Sequence, residues 1–183
     1  MAKTLAQKDW YKIVAPDIFD NKEISQTPAD SSENLEGRQV KVELKKLLPK
    51  TDKYYMDVYL KLDEVKGDRV STKLAGHECS RQYVSRLVRR NSDRIDLVED
   101  YETDDGKDVR VKMIAITLKK VNSSIEKKLR KKIAEVVEEK IEGKNFDEFM
   151  DSVFSNEVQK EIYNEVKQIY PLRTVEFRKT ELI

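Results

Sequence analysis

Near residue 122 the spacing of apolar residues changes from every second position to every third or fourth, and this switch constrains the fold more than any other feature of the chain. Before it, apolar side chains mostly alternate: Val40, Val42 and Leu44; Met56, Val58, Leu60 and Leu62; Val70, Thr72 and Leu74; Ile95 and Leu97. A period of two sets one face of a strand against a core. Val109, Val111 and Met113 run into Ile114, Ala115 and Ile116, a continuity that suits a central strand or a bulge. Asp104-Asp105-Gly106-Lys107, between two such runs, reads as a hairpin turn because an Asp-Gly pair tolerates positive φ.

After the switch, Ile125, Leu129, Ile133, Val136, Val137 and Ile141 form one helical stripe, with Gly143 to close it. Ser123 and Glu126 read as its capping box. Asn145 caps a shorter helix carrying Phe146, Phe149, Met150 and Val153; Ser155 or Asn156 caps another carrying Val158, Ile162, Val166 and Ile169, which Pro171 ends. Val175 and Phe177 then alternate, so a final strand returns to the sheet. The prediction is an α+β chain: a mainly antiparallel, β-barrel-like sheet over about 35–120, one inserted helix over about 80–91, and a helical segment over about 123–170 with a last strand. One domain is expected over 1–183, with an extended N-terminal segment and loop at 1–34, the β part at 35–121, and the helices and last strand at 122–183. Residues 20–36, rich in Asp, Asn, Ser and Glu, read as a long loop.

Several functions are disfavoured at this stage. The five glycines stand far apart, so no phosphate-cradling loop forms. A single Cys79 rules out an internal disulfide and a multi-cysteine zinc site. His77 and Cys79 could be drawn as base and nucleophile, but neighbours two apart rarely aim at each other. Asp100, Glu102 and Asp104 before Gly106 faintly suggest a calcium loop; the glycine comes one position late and the twelfth-place Glu is missing, so an acidic hairpin is the better reading. No metal, cofactor or catalysis is expected. The opening residues lack the apolar stretch of a secretory signal, and no run approaches the roughly 18 apolar residues of a membrane span, so a cytoplasmic protein away from membranes is expected.

Charge is more informative. Lys and Arg number 36 against 35 Asp and Glu, a net of only +1, but the signs are segregated along the chain. Residues 81–90 hold four Arg and no acid, and 107–132 hold ten basic residues against two acidic ones. Conversely, 92–106 hold seven acids against one Arg, and 133–165 hold ten acids against three Lys. In the helix after Ser80, Arg81, Arg86, Arg89 and Arg90 lie off the apolar side, and Arg suits bidentate phosphate contacts. The helix after Ser123 begins with Lys127, Lys128, Arg130, Lys131 and Lys132 and continues with Glu135, Glu138, Glu139 and Glu142, an order that opposes the helix dipole. It also sets like charges four apart, at about 0.2–0.5 kcal/mol each. Stability alone would favour the reverse order, so the basic half is expected to meet a polyanion and the acidic half to face water or a basic protein. Trp10 and Tyr11, flanked by Lys8 and Lys12, fit either a core or a base-stacking role.

The order of several blocks resembles a known family. Lys8-Asp9-Trp10-Tyr11 through Ala15-Pro16 and Phe19, Leu35-Glu36-Gly37-Arg38, Gly76-His77-Glu78, Leu87-Val88-Arg89-Arg90, Thr117-Leu118-Lys119-Lys120, Arg130-Lys131-Lys132, Ile169-Tyr170-Pro171-Leu172-Arg173 and Arg178-Lys179 are similar to the archaeal and eukaryotic small-subunit ribosomal protein family called S-three-a, also named eukaryotic-type S-one. The likeness spans nearly the whole chain and looks like the archaeal short form. It implies a structural ribosomal protein on the small-subunit platform, in contact with ribosomal RNA near the messenger exit and with neighbouring ribosomal proteins. Contact with the messenger itself stays open. It implies no cofactor. Cys79-Ser80-Arg81-Gln82 departs from the family's Leu-Thr-Arg-Asp type, although Ser80 can cap as Thr does, and Val121-Asn122-Ser123-Ser124 lacks the extra basic residues of eukaryotic members. The residues expected to bind RNA are Lys8, Trp10, Tyr11, Arg38, Arg81, Arg86, Arg89, Arg90, Lys119, Lys120, Lys127, Lys128, Arg130, Lys131 and Lys132. An adaptor or chaperone for an acidic protein partner is the alternative that basic faces alone also allow.

Overall fold

Alternation in the first part of the chain becomes strands, and the computed structural model describes them over residues 8–183. β1 (Asp9–Val14) pairs antiparallel with β2 (Glu23–Ala29) and parallel with β5 (Arg69–Cys79). β3 (Gln39–Glu43) pairs antiparallel with β4 (Met56–Lys66), which also pairs with β5. Leu44, the third member of an alternating trio, opens the short α1 (Leu44–Leu47) instead of extending β3. The stretch 20–36, expected to be a loop, contains all of β2, whose only clearly apolar members are Ile24 and Ala29. Ile13, Ala29, Leu35, Leu62 and Val70 form the core beneath these strands, with Tyr11, Ile24, Val40 and Val65 against it.

The chain divides into two compact units between Ala75 and Gly76, inside β5. In the second unit Gly76–Glu78 of β5 pair with β8 (Leu172–Leu182), β8 pairs with β7 (Asp108–Thr117), and β7 with β6 (Arg94–Glu102), all antiparallel. A Cβ on Gly76 would stand 2.1 Å from the Thr180 carbonyl oxygen, and its φ of +147° also favours glycine. The continuous apolar run in β7 is both central and irregular: Met113 to Ile116 are buried, and the register with β8 shifts at Lys112/Met113 and at Ile116/Thr117.

α2 (Arg81–Leu87) is shorter than the span expected at 80–91, and Ser80 caps it by accepting the Tyr83 N–H at 3.3 Å. α3 (Ser123–Ile141) begins one residue earlier than a Ser123 cap requires. Asn122 is its last extended residue (φ −76°, ψ 152°), and the Asn122 carbonyl accepts from Ile125 and Glu126. α4 (Phe146–Phe154) starts at the expected Asn145, whose N–H donates to Glu148 Oε2 at 3.3 Å. α5 (Glu157–Val166) ends before Ile169, which is exposed. The stripes predicted for the three helices are otherwise buried at most positions, and Phe149 of α4 meets Phe177 of β8 edge to face.

The α+β class stands, but the sheet is open and mixed rather than barrel-like. Among the described residues β2 and β3 have a partner on one side only, as does β6. Pro28 deprives β2 of a donor, and Asp96, Glu99, Asp100 and Glu102 crowd β6 with charge, both features that suit an unpaired edge. No helix among the described residues is long and apolar enough to cross a membrane.

Candidate nucleic-acid interface

The second unit draws several of the expected cations to one place. Beyond α2 the chain turns at Asn91, whose φ is +66°, and Ser92 Oγ closes the turn by donating to the Arg89 carbonyl at 2.8 Å. Asp93 then clasps the loop that follows β7. Its N–H donates to Thr117 Oγ1 at 2.9 Å, its carbonyl accepts the Thr117 N–H at 3.0 Å, and its carboxylate accepts the Val121 N–H at 2.7 Å. The clasp ties the loop that carries Arg89 and Arg90 to the loop that carries Lys119 and Lys120. α3 starts just after Val121 and adds Lys127 and Lys128 within its first two turns.

Arg81, Arg86, Arg89, Arg90, Lys119, Lys120, Lys127 and Lys128 are all exposed, and none makes an ion pair among the described residues. The Asp93 carboxylate at the clasp is engaged by the backbone. Cations left without carboxylates suit phosphate, and the two loops offer them on a fixed frame instead of on a single flexible stretch.

Other expected RNA residues are used differently. Arg38 donates to Thr27 Oγ1 at 3.2 Å and to the Asn34 carbonyl at 3.4 Å, so it stitches its own loop. Arg130 donates through Nε to the Asp96 carbonyl at 3.0 Å. Lys131 lies 3.9 Å from Glu135, and half-buried Lys132 lies 3.5 Å from Glu165. Trp10 is 63% exposed on β1 while Tyr11 turns toward the first unit's core, so of the two adjacent aromatics only Tyr11 has a core role. Lys8 is exposed near Trp10, and both belong to the first unit.

Segregation of charge along the chain is partly cancelled in space. Asp100 and Arg110 face each other across β6 and β7 and join through two 2.7 Å hydrogen bonds, which hold the Asp100 carboxyl below its usual range. Lys112 meets Glu181, and Lys140 meets Glu161 at 2.6 Å. What stays acidic is a groove of about 540 Å³ between β6 and the later turns of α3, lined by Asp100, Tyr101, Glu102, Glu135, Glu138 and Glu142 among others. Burial, followed by its hydrogen bond to Glu99, pushes the Tyr101 hydroxyl up. At the β6–β7 turn, burial would raise Asp105. Hydrogen bonds from Lys107, Thr103 and the Phe146 N–H outweigh it and hold the carboxyl at about 2. This is an acidic hairpin fastened to α4, and its Asp105 carboxylate is committed to protein partners.

His77 and Cys79 do not form a catalytic pair. His77 is fully buried, with Nε2 donating to the Phe177 carbonyl at 3.0 Å and Nδ1 lying 2.6 Å from Thr180 Oγ1. Cys79 Sγ lies 3.2 Å from the same Phe177 carbonyl. Both residues fasten β5 to β8.

An α+β frame that presents grouped cations without carboxylate partners, with its histidine and cysteine spent on strand contacts, suits the class of binding and scaffolding proteins. The chain belongs to the Ribosomal S3Ae family, whose sequence profile matches residues 2–183. It is 38% identical over 180 residues to the small ribosomal subunit protein eS1 of Methanopyrus kandleri, covering 96% of this chain and 85% of that protein. The protein of the same name from Methanobrevibacter smithii is 34% identical over 180 residues, covering 98% and 93%. That of Sulfurisphaera tokodaii is 36% identical over 176 residues, covering 96% and 91%. Membership makes the chain a structural ribosomal protein, at work on the ribosome in the cytoplasm.

Proposed function

We propose that this protein is a constituent of the small ribosomal subunit that grips small-subunit ribosomal RNA with the cationic face around the Asp93 clasp. The relatives' names supply the subunit; the observation that carries RNA contact is the set of unpaired cations held together by Asp93. In this reading the protein sits at the platform near the messenger exit, among neighbouring ribosomal proteins. The acidic groove turns away from RNA, since two polyanions repel, and faces solvent or a basic neighbour. An adaptor for an acidic protein could use the same cations, and family membership favours RNA over it.

Cells expressing the tagged protein should show it in the small-subunit fraction of a gradient run at moderate salt, and it should remain there after a wash. Migration wholly among free proteins would overturn the assignment. Crosslinks mainly from Glu138 or Glu142 to ribosomal RNA would reverse the proposed orientation.

A further inference from the structure

A second cluster of lysine and tyrosine lies in the first unit, in a segment that the charge pattern along the chain did not single out. Residues 45–55, Lys-Lys-Leu-Leu-Pro-Lys-Thr-Asp-Lys-Tyr-Tyr, hold four lysines and one aspartate, so they carry a net charge of +3 (four minus one). The segment is α1 and the turns that follow it, and the turns are tied down: the Thr51 N–H donates to the Leu48 carbonyl, Tyr54 to Asp52, and Met56 to Lys53, at 3.0 to 3.3 Å. Leu44 and Leu47 are buried and anchor one end, and Met56 anchors the other.

This held loop leaves Tyr54 68% exposed, a larger fraction than for any other large hydrophobic residue described. Its ring meets Tyr55 edge to face, with centroids 5.8 Å apart and planes at 84°, so its orientation is set while most of it stays in water. Lys45 and Lys50 are exposed and make no ion pair among the described residues. Lys53 is buried, Lys46 lies 4.0 Å from Glu43, a loose surface pair, and Lys22 Nζ donates to the Lys46 carbonyl at 3.1 Å, so that four exposed cations, Lys22, Lys45, Lys46 and Lys50, stand about α1.

We propose that this loop is a second RNA site, which takes an unpaired stretch of RNA by stacking a base on Tyr54 while Lys45, Lys46 and Lys50 hold the flanking phosphates. An exposed ring has most to gain from a base face, and cations beside it match the phosphates on either side of a stacked base. Duplex bases are already stacked on each other, so the ligand is single-stranded. An acidic peptide would satisfy the lysines but leave the ring without its partner. The inference rests on the reading of the protein as an RNA binder and assigns it a separate contact of different chemistry.

The test uses the full chain with two probes, an unstructured single strand and a fully paired RNA hairpin. Tyr54→Ala should weaken single-strand binding at least about fivefold, in line with the usual contribution of one stacked base, and leave hairpin binding unchanged. Tyr54→Phe should stay within about twofold of the parent, because the stacking face is kept. Replacing Lys45, Lys46 and Lys50 with Gln should flatten log K against log salt on the single strand by about two, at −0.7 per phosphate. A single strand carrying 4-thiouridine should crosslink within residues 48–55. Circular dichroism checks folding.

A folded Tyr54→Ala protein that binds the single strand as the parent does, or an absence of crosslinks in the loop, would overturn the proposal. So would variants that lose affinity for polyglutamate while keeping that for RNA. Gln at Arg86, Arg89, Arg90, Lys119 and Lys120 separates this site from the first interface. If that variant keeps the parent's hairpin binding while Tyr54→Ala loses the single strand, the Asp93 face fails and the loop stands. If neither probe binds the parent protein, both readings fall.

Discussion

At its start α3 offers Lys127 and Lys128 to solvent without a carboxylate, whereas further along Lys131 faces Glu135, Lys132 faces Glu165 and Lys140 faces Glu161. One helix therefore carries cations of two kinds. Those near the Asp93 clasp are available to a ligand; those beyond it already balance acids of α3 and α5. Coulomb attraction between surface groups is weak in water, about 1 kcal/mol at 4 Å, so a paired lysine loses little by exchanging its carboxylate for a phosphate, but it also gains little. An unpaired lysine brings its whole counterion release to the complex. Local charge density, which is similar along the first turns of α3, does not distinguish the two.

The difference between the two kinds of cation is best broken by removing one set at a time. Gln at Arg86, Arg89, Arg90, Lys119 and Lys120 together should flatten the salt dependence of binding to a small-subunit RNA fragment by about 3.5 to 4.5 units, from five phosphates at 0.7 to 0.9 each. Titrations at several salt concentrations read this directly, and the same number of substitutions at paired or isolated lysines such as Lys66 and Lys73 should not reproduce it.

The clasp itself gives the next largest effect. Asp93→Ala removes an acid from a cationic face, so charge alone predicts tighter RNA binding; loss of the carboxylate's bond to the Val121 N–H, which leaves the backbone contacts to Thr117 in place, predicts binding weaker by up to about tenfold, the equivalent of about 1.4 kcal/mol. Faster amide exchange at Val121 should accompany it. Tighter binding would mean that loop position is immaterial.

Gln at Lys131 and Lys132 should change the salt slope by less than about one unit and cost the fold well under 1 kcal/mol, since both lysines are committed to surface pairs. A slope change equal to that of two unpaired cations would erase the distinction between the two kinds.

The smallest effect concerns the acidic hairpin. Asp105 titrates near 2 in the fold against an ordinary 3.8, so the charged form is favoured by folding. Its contribution is complete above about pH 4 and is lost as pH falls toward 2, about 1 kcal/mol or less given its partial exposure. Asp105→Asn should remove that part of the acid dependence in thermal melts, and an unchanged pH profile would contradict the assigned contacts.

Much of this was legible in the residues. The α3 stripe, the α5 stripe up to Val166, the alternating runs apart from Leu44 and the Asp104–Lys107 turn follow from periods and from Asp-Gly chemistry, and they occur where expected. β2 was hidden because Glu23-Ile24-Ser25-Gln26-Thr27-Pro28-Ala29 has too few apolar residues to display a period, as befits an edge strand with one neighbour. The open sheet was hidden for a related reason, since alternation describes a strand's faces and says nothing of whether its edges meet. For the interface, the cations themselves could be read from the sequence. Their sorting could not: Arg38 and Arg130 look as free as Arg89 until Thr27, Asn34 and the Asp96 carbonyl come alongside through tertiary structure. Asp93, the residue that gathers the site, sits in a segment counted as acidic, and nothing local marks it as a hinge pin between two basic loops.

The placement of β8 between β5 and β7 has a consequence for how the chain comes into being. A nascent chain emerges in sequence order, so β5, β6 and β7 are outside the synthesising ribosome while residues 172–182 are still to be made. Until those residues arrive, the inner edge of β7 and the Gly76–Glu78 segment of β5 lack the strand that joins them, and Val111 and Met113 cannot complete their contacts. In the first unit the pairings of β1 with β2 and β5 and of β3 with β4 all lie before Gly76 and are under no such delay. Synthesis therefore passes through a stage in which one half can pair its strands and the other exposes an apolar strand edge, a state prone to aggregation. A pause or truncation before residue 172 would prolong this stage and leave the cationic loops without their finished sheet.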